Sequence, residues 1–441
     1  MGQWSFKFHV KLYSTSGSGQ LYSFSEAVLI GLAPDGGLFM PVSLPKFSSH
    51  YFKRLDKKSF PEMCIDIARA LLQEEIPGDQ LEKIVTTSFN FEVPLIELND
   101  NVAALELFHG PSLAFKDFGA RFMSRIMSYL HRNENRELTI LVATSGDTGG
   151  AVASGFYNIP GINVVILYPR FGVSPLQEKQ LTTFGQNITS IAIDGTFDDC
   201  QYLVKRLLDD KLLRGKLLLS SANSINIARL LPQSFYYFEI IRQSSSTKPL
   251  AVSIPSGNFG NLTAGLFARE MGAPIAQIIA ATNVNDVVPN YLKTGHYHPK
   301  PSITTLSNAM DVGNPSNFSR ILSLYGSTWN KIKQHILGYS FQDKEITAAI
   351  TTIHQLYNYI MDPHGAVGFL ALEAFLKQNR GYTGVFLETA HPAKFYHLYD
   401  TEIQEKIHFP PSLVEIQSKP SYSYTLPNQY NSIKMFLLDN Q

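Results

Sequence analysis

The sequence is poor in the residues that build disulfide frames, zinc sites and membrane spans. It has only two cysteines, Cys64 and Cys200, in 441 residues, too few for the disulfide network of a small secreted protein. No C-x-x-C pair is present, so we expect no structural zinc site and no metal. The longest apolar runs, such as 162–167, are far shorter than the roughly 20 residues that cross a bilayer. The first ten residues lack the apolar core of a signal peptide. We therefore expect a cytoplasmic protein.

The sequence also lacks an excess of charge of either sign. Lysine and arginine number 37, as do aspartate and glutamate. This balance argues against a nucleic-acid partner or an anionic membrane surface, because both need clustered basic charge. The chain is 44% hydrophobic and 17% charged, which is ordinary for a globular protein. At about 150 residues per domain, its length suggests two or three domains.

Short β-like runs alternate with helical segments from about residue 100 onward. Such alternation indicates βαβ units with parallel sheets covered by helices on both faces. We predict two α/β modules after an N-terminal appendage, and these strands: 138–143, 162–168, 188–193, 250–254, 275–281 and 383–387. The helical segments predicted between them are 151–156, 176–184, 197–213, 225–242 and 262–271. In open parallel sheets, ligands bind beyond the carboxyl ends of the strands, so the loops after Ala143, Ile254 and Leu387 are the first candidates.

The loop Ser256-Gly-Asn-Phe-Gly-Asn261 lies between a buried strand and an amphipathic helix. Glycines allow close approach of the backbone, and a helix N-terminus supplies free amides, which together make a phosphate cradle. The loop lacks the Gly-Lys-Ser/Thr ending of a nucleotide P-loop and the dinucleotide G-x-G-x-x-G. A plain strand–helix turn with glycine in the left-handed region remains an equal alternative.

The loop 144–150 is a second strand–helix junction. Ser145, Thr148 and the backbone amides could hold a carboxylate or phosphate, with Asp147 as an acceptor among them. On residue type alone, helix capping by Ser145 or Asp147 is the better interpretation.

Lys116 lies in a segment where apolar residues recur at helical spacing (Phe115, Phe118, Phe122 and Ile126), and it is flanked by Ala114, Phe115 and Phe118. Desolvation there would lower the lysine pKa and leave a neutral amine nucleophile. A snorkelling lysine at a helix edge is the alternative that residue type favours. Residue type also leaves two interpretations of Arg229, which could bind an anion or could be a solvated charge.

Taken together, these segments resemble the threonine synthase family, pyridoxal-phosphate (PLP) lyases that share the fold type of tryptophan synthase β. The resemblance spans nearly the whole chain and, without a long N-terminal extension, is to the bacterial and fungal class. It is carried by these segments in order: GLAPDGGLFMP (31–41), ELFHGPSLAFKDFGARFM (106–123), ATSGDTG (143–149), VVILYPR (164–170), SPLQEKQ (174–180), SANSINIARLLPQ (221–233), IPSGNFGNLTAG (254–265), AATNVNDVVP (280–289), TLSNAMDVGNPSN (305–317) and TAHPAKF (389–395).

The resemblance implies a role for each matched position. Lys116 falls on the Schiff-base lysine, and Thr389 on the hydroxyl residue that faces the pyridine nitrogen. The cofactor phosphate would lie on the loop Gly257, Asn258, Phe259, Gly260 and Asn261. The loop near the substrate carboxylate and the cofactor's phenolic oxygen would contain Ser145, Asp147 and Thr148. The substrate phosphate would contact Asn223, Ser224 and Arg229.

The implied reaction converts O-phospho-L-homoserine and water to L-threonine and phosphate, the last step of threonine biosynthesis. The implied domains are an N-terminal threonine synthase domain (1–100), a large PLP-binding α/β domain (101–120 with 225–441) and a smaller α/β domain (121–224) that closes the cleft. The resemblance favours a monomer. A dehydratase of the same fold, a non-catalytic binding module and a nucleotide-binding protein are the rival interpretations.

Two details bear on the pyridine end of the expected site. Glu388 precedes Thr389 where the family more usually has a small residue, so this end is expected to be more crowded or more acidic. A neutral threonine opposite the ring nitrogen should leave the ring largely unprotonated and favour electron storage toward the phenolic oxygen.

Overall fold

The computed structural model describes residues 10–440 and contains three β-sheets flanked by helices. Its strands are β1 Leu12–Ser14, β2 Leu21–Tyr22, β3 Phe39–Pro41, β4 Leu95–Asn99, β5 Val102–Glu106, β6 Leu138–Ala143, β7 Ile162–Pro169, β8 Ile188–Asp194, β9 Leu218–Ser221, β10 Leu250–Pro255, β11 Ile275–Thr282, β12 Ile336–Ser340, β13 Thr383–Glu388 and β14 Tyr424–Pro427.

The α-helices are α1 Phe24–Ile30, α2 Ser49–Phe52, α3 Phe60–Leu72, α4 Gly78–Ser88, α5 Lys116–His131, α6 Asp147–Phe156, α7 Pro175–Thr182, α8 Phe197–Asp209, α9 Lys211–Lys216, α10 Ile227–Leu230, α11 Phe235–Gln243, α12 Gly260–Glu270, α13 Val287–Thr294, α14 Phe318–Leu324, α15 Trp329–His335, α16 Asp343–Tyr357, α17 Pro363–Gln378, α18 Thr401–Gln404, α19 Pro411–Ser418 and α20 Tyr430–Asp439. Shorter 3-10 helices cover Leu55–Lys57, Leu231–Ser234, Asn308–Met310 and Pro392–Leu398. None of these described helices combines the length and apolar character needed to cross a membrane.

Two largely parallel sheets form the body of the protein, which confirms the predicted α/β class. The six-stranded sheet has the order β12-β11-β10-β13-β5-β4, with only the edge strand β4 antiparallel to its neighbour. The five-stranded sheet, β14-β8-β7-β6-β9, is parallel throughout. Every residue of β6, β10 and β13 is buried, as expected where helices cover both faces.

The N-terminal part, up to about residue 89, adds the small antiparallel sheet β2-β1-β3 and helices α1 to α4. Its core is continuous with that of the rest of the chain. Arg320 is fully buried and ties this part to the body, because its guanidinium donates to the carbonyls of Phe39, Ser224 and Ile225.

The C-terminal segment departs from the expected domain division, which otherwise stays a prediction. Strand β14 pairs with β8, and α20 packs on α8, so residues 424–439 extend the five-stranded sheet rather than the larger one. Apolar side chains explain this placement, because Ile433 and Leu437 are buried in the cluster around Leu203 and Leu207.

Several predicted helix boundaries were wrong for identifiable reasons. The helix predicted from Ala151 begins at Asp147. The helix predicted over 197–213 breaks at Asp210, whose side chain caps α9. The segment 225–242 divides into α10, a 3-10 turn and α11, because Pro232 cannot donate the backbone bond of a continuous α-helix.

Candidate active site

One cavity opens between the carboxyl ends of the two parallel sheets, with a volume of about 830 Å³ that includes space open to solvent. It brings together every predicted site residue. Its walls are formed by Phe115, Lys116, Ala143, Ser145, Asp147, Thr148, Phe197, Asn223, Ser224, Arg229, Gln233, Pro255, Gly257, Asn258, Phe259, Gly260, Asn261, Ala309, Met310, His364 and Thr389.

Lys116 is placed by backbone pairing between the segment before α5 and the end of β13. The amide of Phe115 donates to the carbonyl of Thr389 over 2.9 Å, and the amide of His391 donates to Leu113 over 3.0 Å. Since Leu107 likewise donates to Glu388, the two segments run side by side. Lys116 and Thr389, far apart in sequence, therefore face the same cavity.

The Lys116 side chain is largely withdrawn from water, with 14% of its surface exposed. Its Nζ lies 3.6 Å from Oδ2 of Asp147 and over the ring of Phe115. Burial lowers the pKa of Lys116, Asp147 opposes that shift, and the cations Lys394 and Arg229 add to it. This environment is that of a desolvated amine and not of a snorkelling side chain.

The loop 257–261 presents backbone amides to the cavity at the start of α12. These amides donate no hydrogen bond to another described residue. The residue in the left-handed region is Phe259, with φ of 59°, and not a glycine. Side-chain bonds hold the loop, because Asn261 donates to Pro255 and accepts from Ser256. Unpaired amides converging at a helix N-terminus fit an anion such as a phosphate.

Close packing behind the loop explains Gly257. A Cβ at this position would lie 2.6 Å from the carbonyl oxygen of Ala309 and 2.9 Å from the Cα of Met310. Both are backbone atoms of the 3-10 turn that lines the cavity. The loop can therefore stand against this turn only with glycine at 257.

In the loop 144–150, the capping side chain is Thr144 rather than Ser145 or Asp147. Its Oγ1 accepts hydrogen bonds from the amides of Gly146 and Gly149. This bonding starts α6 at Asp147, four residues earlier than the sequence predicted. Ser145 and Thr148 line the cavity, while the Asp147 carboxylate turns toward lysines.

The predicted phosphate-contacting residues reach the cavity with some of their polar atoms already used. The side-chain amide of Asn223 pairs with the backbone of Ala143 through both its oxygen and its nitrogen. Ser224 Oγ accepts a hydrogen bond from Asn317. Arg229 donates to the carbonyl of Ala222, while its buried Nε has no partner among the described residues. Burial lowers the pKa of Arg229 to about 10, so it stays cationic at neutral pH.

Thr389 lines the cavity, whereas the preceding Glu388 points away from it. The Glu388 carboxyl occupies space beside Gly365, where a Cβ would lie 2.1 Å from Oε1. Burial, followed by the nearby Asp362 carboxylate, raises the pKa of Glu388 well above its ordinary value. The expected crowding of the pyridine end is therefore not seen, and the surroundings of the carboxyl favour its neutral form.

Two further residues at the site, His364 and Lys394, were not among the predicted site residues. His364 lines the cavity, accepts a hydrogen bond from the amide of Ala309 through Nε2, and contacts Asp362 through Nδ1 at 2.5 Å. Lys394 is fully buried, and its Nζ lies 2.5 Å from Oδ1 of Asp147. Lys394 belongs to the motif TAHPAKF, but nothing in that motif indicates which carboxylate the lysine contacts.

The described side chains were also compared with the donor sets that bind metal ions. Over residues 10–440, no group of three or more His, Cys, Asp or Glu side chains is arranged to hold an ion.

Family models match three consecutive parts of the chain. A model described as "Pyridoxal-phosphate dependent enzyme" matches residues 90–386. Models described as "Threonine synthase N terminus" and "Threonine synthase, C-terminal" match residues 11–89 and 365–437.

Individual relatives agree with these models over the full chain. The chain is 44% identical to the threonine synthase of Escherichia coli (strain K12), over 98% of this chain and 100% of the relative. The crystal structure of the Escherichia coli enzyme superposes with a TM-score of 0.91, over 98% of this chain and 100% of that one. A PLP-bound threonine synthase from Brucella melitensis, 32% identical, superposes with a TM-score of 0.88 over 97% of this chain and 98% of that one.

Proposed function

The chain belongs to the threonine synthase family of pyridoxal-phosphate dependent enzymes, and we propose that the cavity between its two sheets is the active site. The enzyme is a carbon–oxygen lyase that converts O-phospho-L-homoserine and water to L-threonine and phosphate, with PLP as cofactor. The observation that carries the proposal is that all the residues matched to the family's site line this one cavity.

The residues present fit the cofactor at both of its ends. Lys116 supplies a desolvated amine to which the aldehyde of the cofactor could bind covalently. The amides of 257–261 supply an anion cradle for its phosphate. The Thr389 hydroxyl supplies a neutral partner for the ring nitrogen. When bound, PLP provides an electron sink for charge that develops at the substrate's Cα and Cβ.

The chain's own groups then carry out binding and proton transfer. With cofactor and substrate bound, the Lys116 amine would be placed to take the proton from Cα. Ser145, Thr148 and the amides beside them hold the substrate carboxylate. The cationic Arg229, with Asn223 and Ser224, holds the substrate phosphate until it departs from Cγ. The water that completes threonine would add at Cβ, and Lys116 would hold the cofactor again after threonine has left.

The buried cation Arg229 supports a phosphorylated substrate, and so favours a threonine synthase over a dehydratase. A dehydratase would not require a buried guanidinium beside its cofactor, whereas Arg229 is buried and lines this cavity. The lysine and the anion cradle together also argue against a non-catalytic binding module.

Phosphate release from O-phospho-L-homoserine, with threonine quantified in parallel, tests the proposal. Wild type should release phosphate and threonine in equal amounts, and Lys116→Ala should release neither. Lys293→Ala is the matched control, because Lys293 is exposed on α13 and lies outside the cavity. A PLP-loaded wild type that releases no phosphate would contradict the proposal and favour a dehydratase.

We further propose that the enzyme is a cytoplasmic monomer whose 121–224 region moves to close the cleft. Support for the monomer comes from the family resemblance. Light scattering after gel filtration tests the monomer, and fractionation of cells that express the chain tests the location. A change in small-angle scattering on addition of substrate tests closure and the domain division.

A further inference from the structure

Two buried lysines share one buried aspartate beside the candidate active site. Asp147 approaches Lys394 with Oδ1 and Lys116 with Oδ2, at 2.5 and 3.6 Å. The exposed fractions of these side chains are 2% for Asp147, 0% for Lys394 and 14% for Lys116. The family resemblance and the chemistry described above assign no role to Lys394.

The contacts hold Lys394 and Asp147 in a fixed geometry. Lys394 also donates to the carbonyl of Ser112 over 3.1 Å, and the same carbonyl accepts from Gln180. Gln177 donates to Oδ1 of Asp147 over 3.1 Å. Lys394 follows β13 of the six-stranded sheet, and Asp147 follows β6 of the five-stranded sheet. The pair therefore links the segments that follow these two strands, and its Asp147 member lines the cavity.

The three charges cannot all be balanced at once. One carboxylate can neutralise one ammonium group, and the shorter contact is to Lys394. Other charged groups near the cluster are Arg229, which faces Lys116, His364, which faces Asp147, and the buried carboxylate of Asp117, which faces Lys394. Asp117 accepts a hydrogen bond from the amide of Ser112, and no ion pair among the described residues joins it to either lysine. Of the three, Lys116 is the group that carries an unbalanced charge when protonated.

We propose that Lys394 is a positioning residue whose ammonium group pairs with the Asp147 carboxylate. This pairing leaves Lys116 uncharged and reactive when no other anion is bound beside it. The proposal rests on the function proposed for Lys116. Burial alone would raise the pKa of Asp147, but Lys394 and then Lys116 hold it well below its ordinary value. Burial, assisted by Lys394, lowers the pKa of Lys116. Both directions agree with the charge argument.

Competitive labelling with acetic anhydride measures the uncharged fraction of Lys116 in the full-length chain freed of cofactor. The label on the Lys116 peptide is quantified by mass spectrometry over a pH series, with the exposed Lys293 as internal reference. Lys394→Met leaves Lys116 as the only lysine partner of Asp147. An opposite charge at this range typically raises a lysine pKa by one unit or more. We therefore expect roughly tenfold less labelling of Lys116 at neutral pH.

Two further variants separate charge from shape. Lys394→Arg keeps the cation, so Lys116 should label as in wild type. Unchanged labelling in Lys394→Met, or an equal loss in Lys394→Arg, would overturn the proposal. If Lys394→Met does not fold, the double variant Lys394→Met with Asp147→Asn removes both charges. In that variant, Lys116 should label at least as fast as in wild type, and a tenfold loss would contradict the proposal.

Borohydride reduction in the presence of PLP keeps this test apart from the proposed function. A pyridoxyl group found on the Lys116 peptide supports the function proposed for Lys116 whatever the labelling shows. Its absence, together with the expected labelling pattern, would reject that function and leave the charge arrangement standing.

Discussion

Replacement of Gly257 by alanine should weaken cofactor binding without unfolding the protein. The added Cβ would lie 2.6 Å from the carbonyl oxygen of Ala309 and 2.9 Å from the Cα of Met310. The 3-10 turn Asn308–Met310 cannot yield freely, because the Ala309 amide is bonded to His364. The 257–261 loop must therefore shift, and its amides move with it.

The expected magnitude follows from this overlap. Insertion of a methyl group into a tightly packed site costs about 1–3 kcal/mol. If the cofactor phosphate bears most of that strain, its affinity falls by roughly ten- to hundredfold, because about 1.4 kcal/mol corresponds to a factor of ten. Titration of the chain with PLP, followed by absorbance, gives the Kd.

Gly215→Ala is the matched control, because no atom lies within 4 Å of a Cβ at that position on α9. Its Kd should equal that of wild type. The reasoning would be refuted if Gly257→Ala bound PLP within twofold of wild type and melted at the same temperature. That result would mean that the turn yields at no cost or that the loop does not hold the cofactor.

Three other substitutions probe stability, pH dependence and ring chemistry. Arg320→Met leaves several carbonyls without their buried donor and should lower the free energy of unfolding in urea by about 3 kcal/mol or more, whereas the exposed control Arg380→Met should change it little. Glu388→Gln should raise the melting temperature at pH 8 more than at pH 5. The reason is that a raised pKa of the Glu388 carboxyl makes the wild type lose stability as pH rises above the unfolded pKa toward the folded value. An equal effect at both pH values would contradict the raised pKa. Thr389→Asp should change the partition between threonine and elimination by-products, and an unchanged partition would count against an unprotonated ring.

Hydrophobic patterning predicted six strands of the α/β body, β6, β7, β8, β10, β11 and β13, but not the parallel strands β5, β9, β12 and β14. The strands β6, β10 and β13 were predicted within a residue at each end, because continuous apolar runs bounded by turn residues are a local signal. Helix boundaries were less accurate, since they depend on side chains such as Thr144 that reach several residues along the chain.

The family resemblance, and not residue type, carried the prediction of the site. On residue type alone, Lys116 was a surface lysine and the 144–150 loop a helix cap. The ordered motifs identified the family, and the structure then placed all the matched residues around one cavity.

The tertiary structure alone decided how those residues are charged and paired. Lys394 and Asp147 are separated by nearly 250 positions, and only the packing of the two sheets brings them within 2.5 Å. The direction of the Glu388 side chain depends likewise on the space beside Gly365 on another element. A sequence contains the chemical groups, but desolvation and charge pairing arise from neighbours in space, and these exist only after the chain has folded.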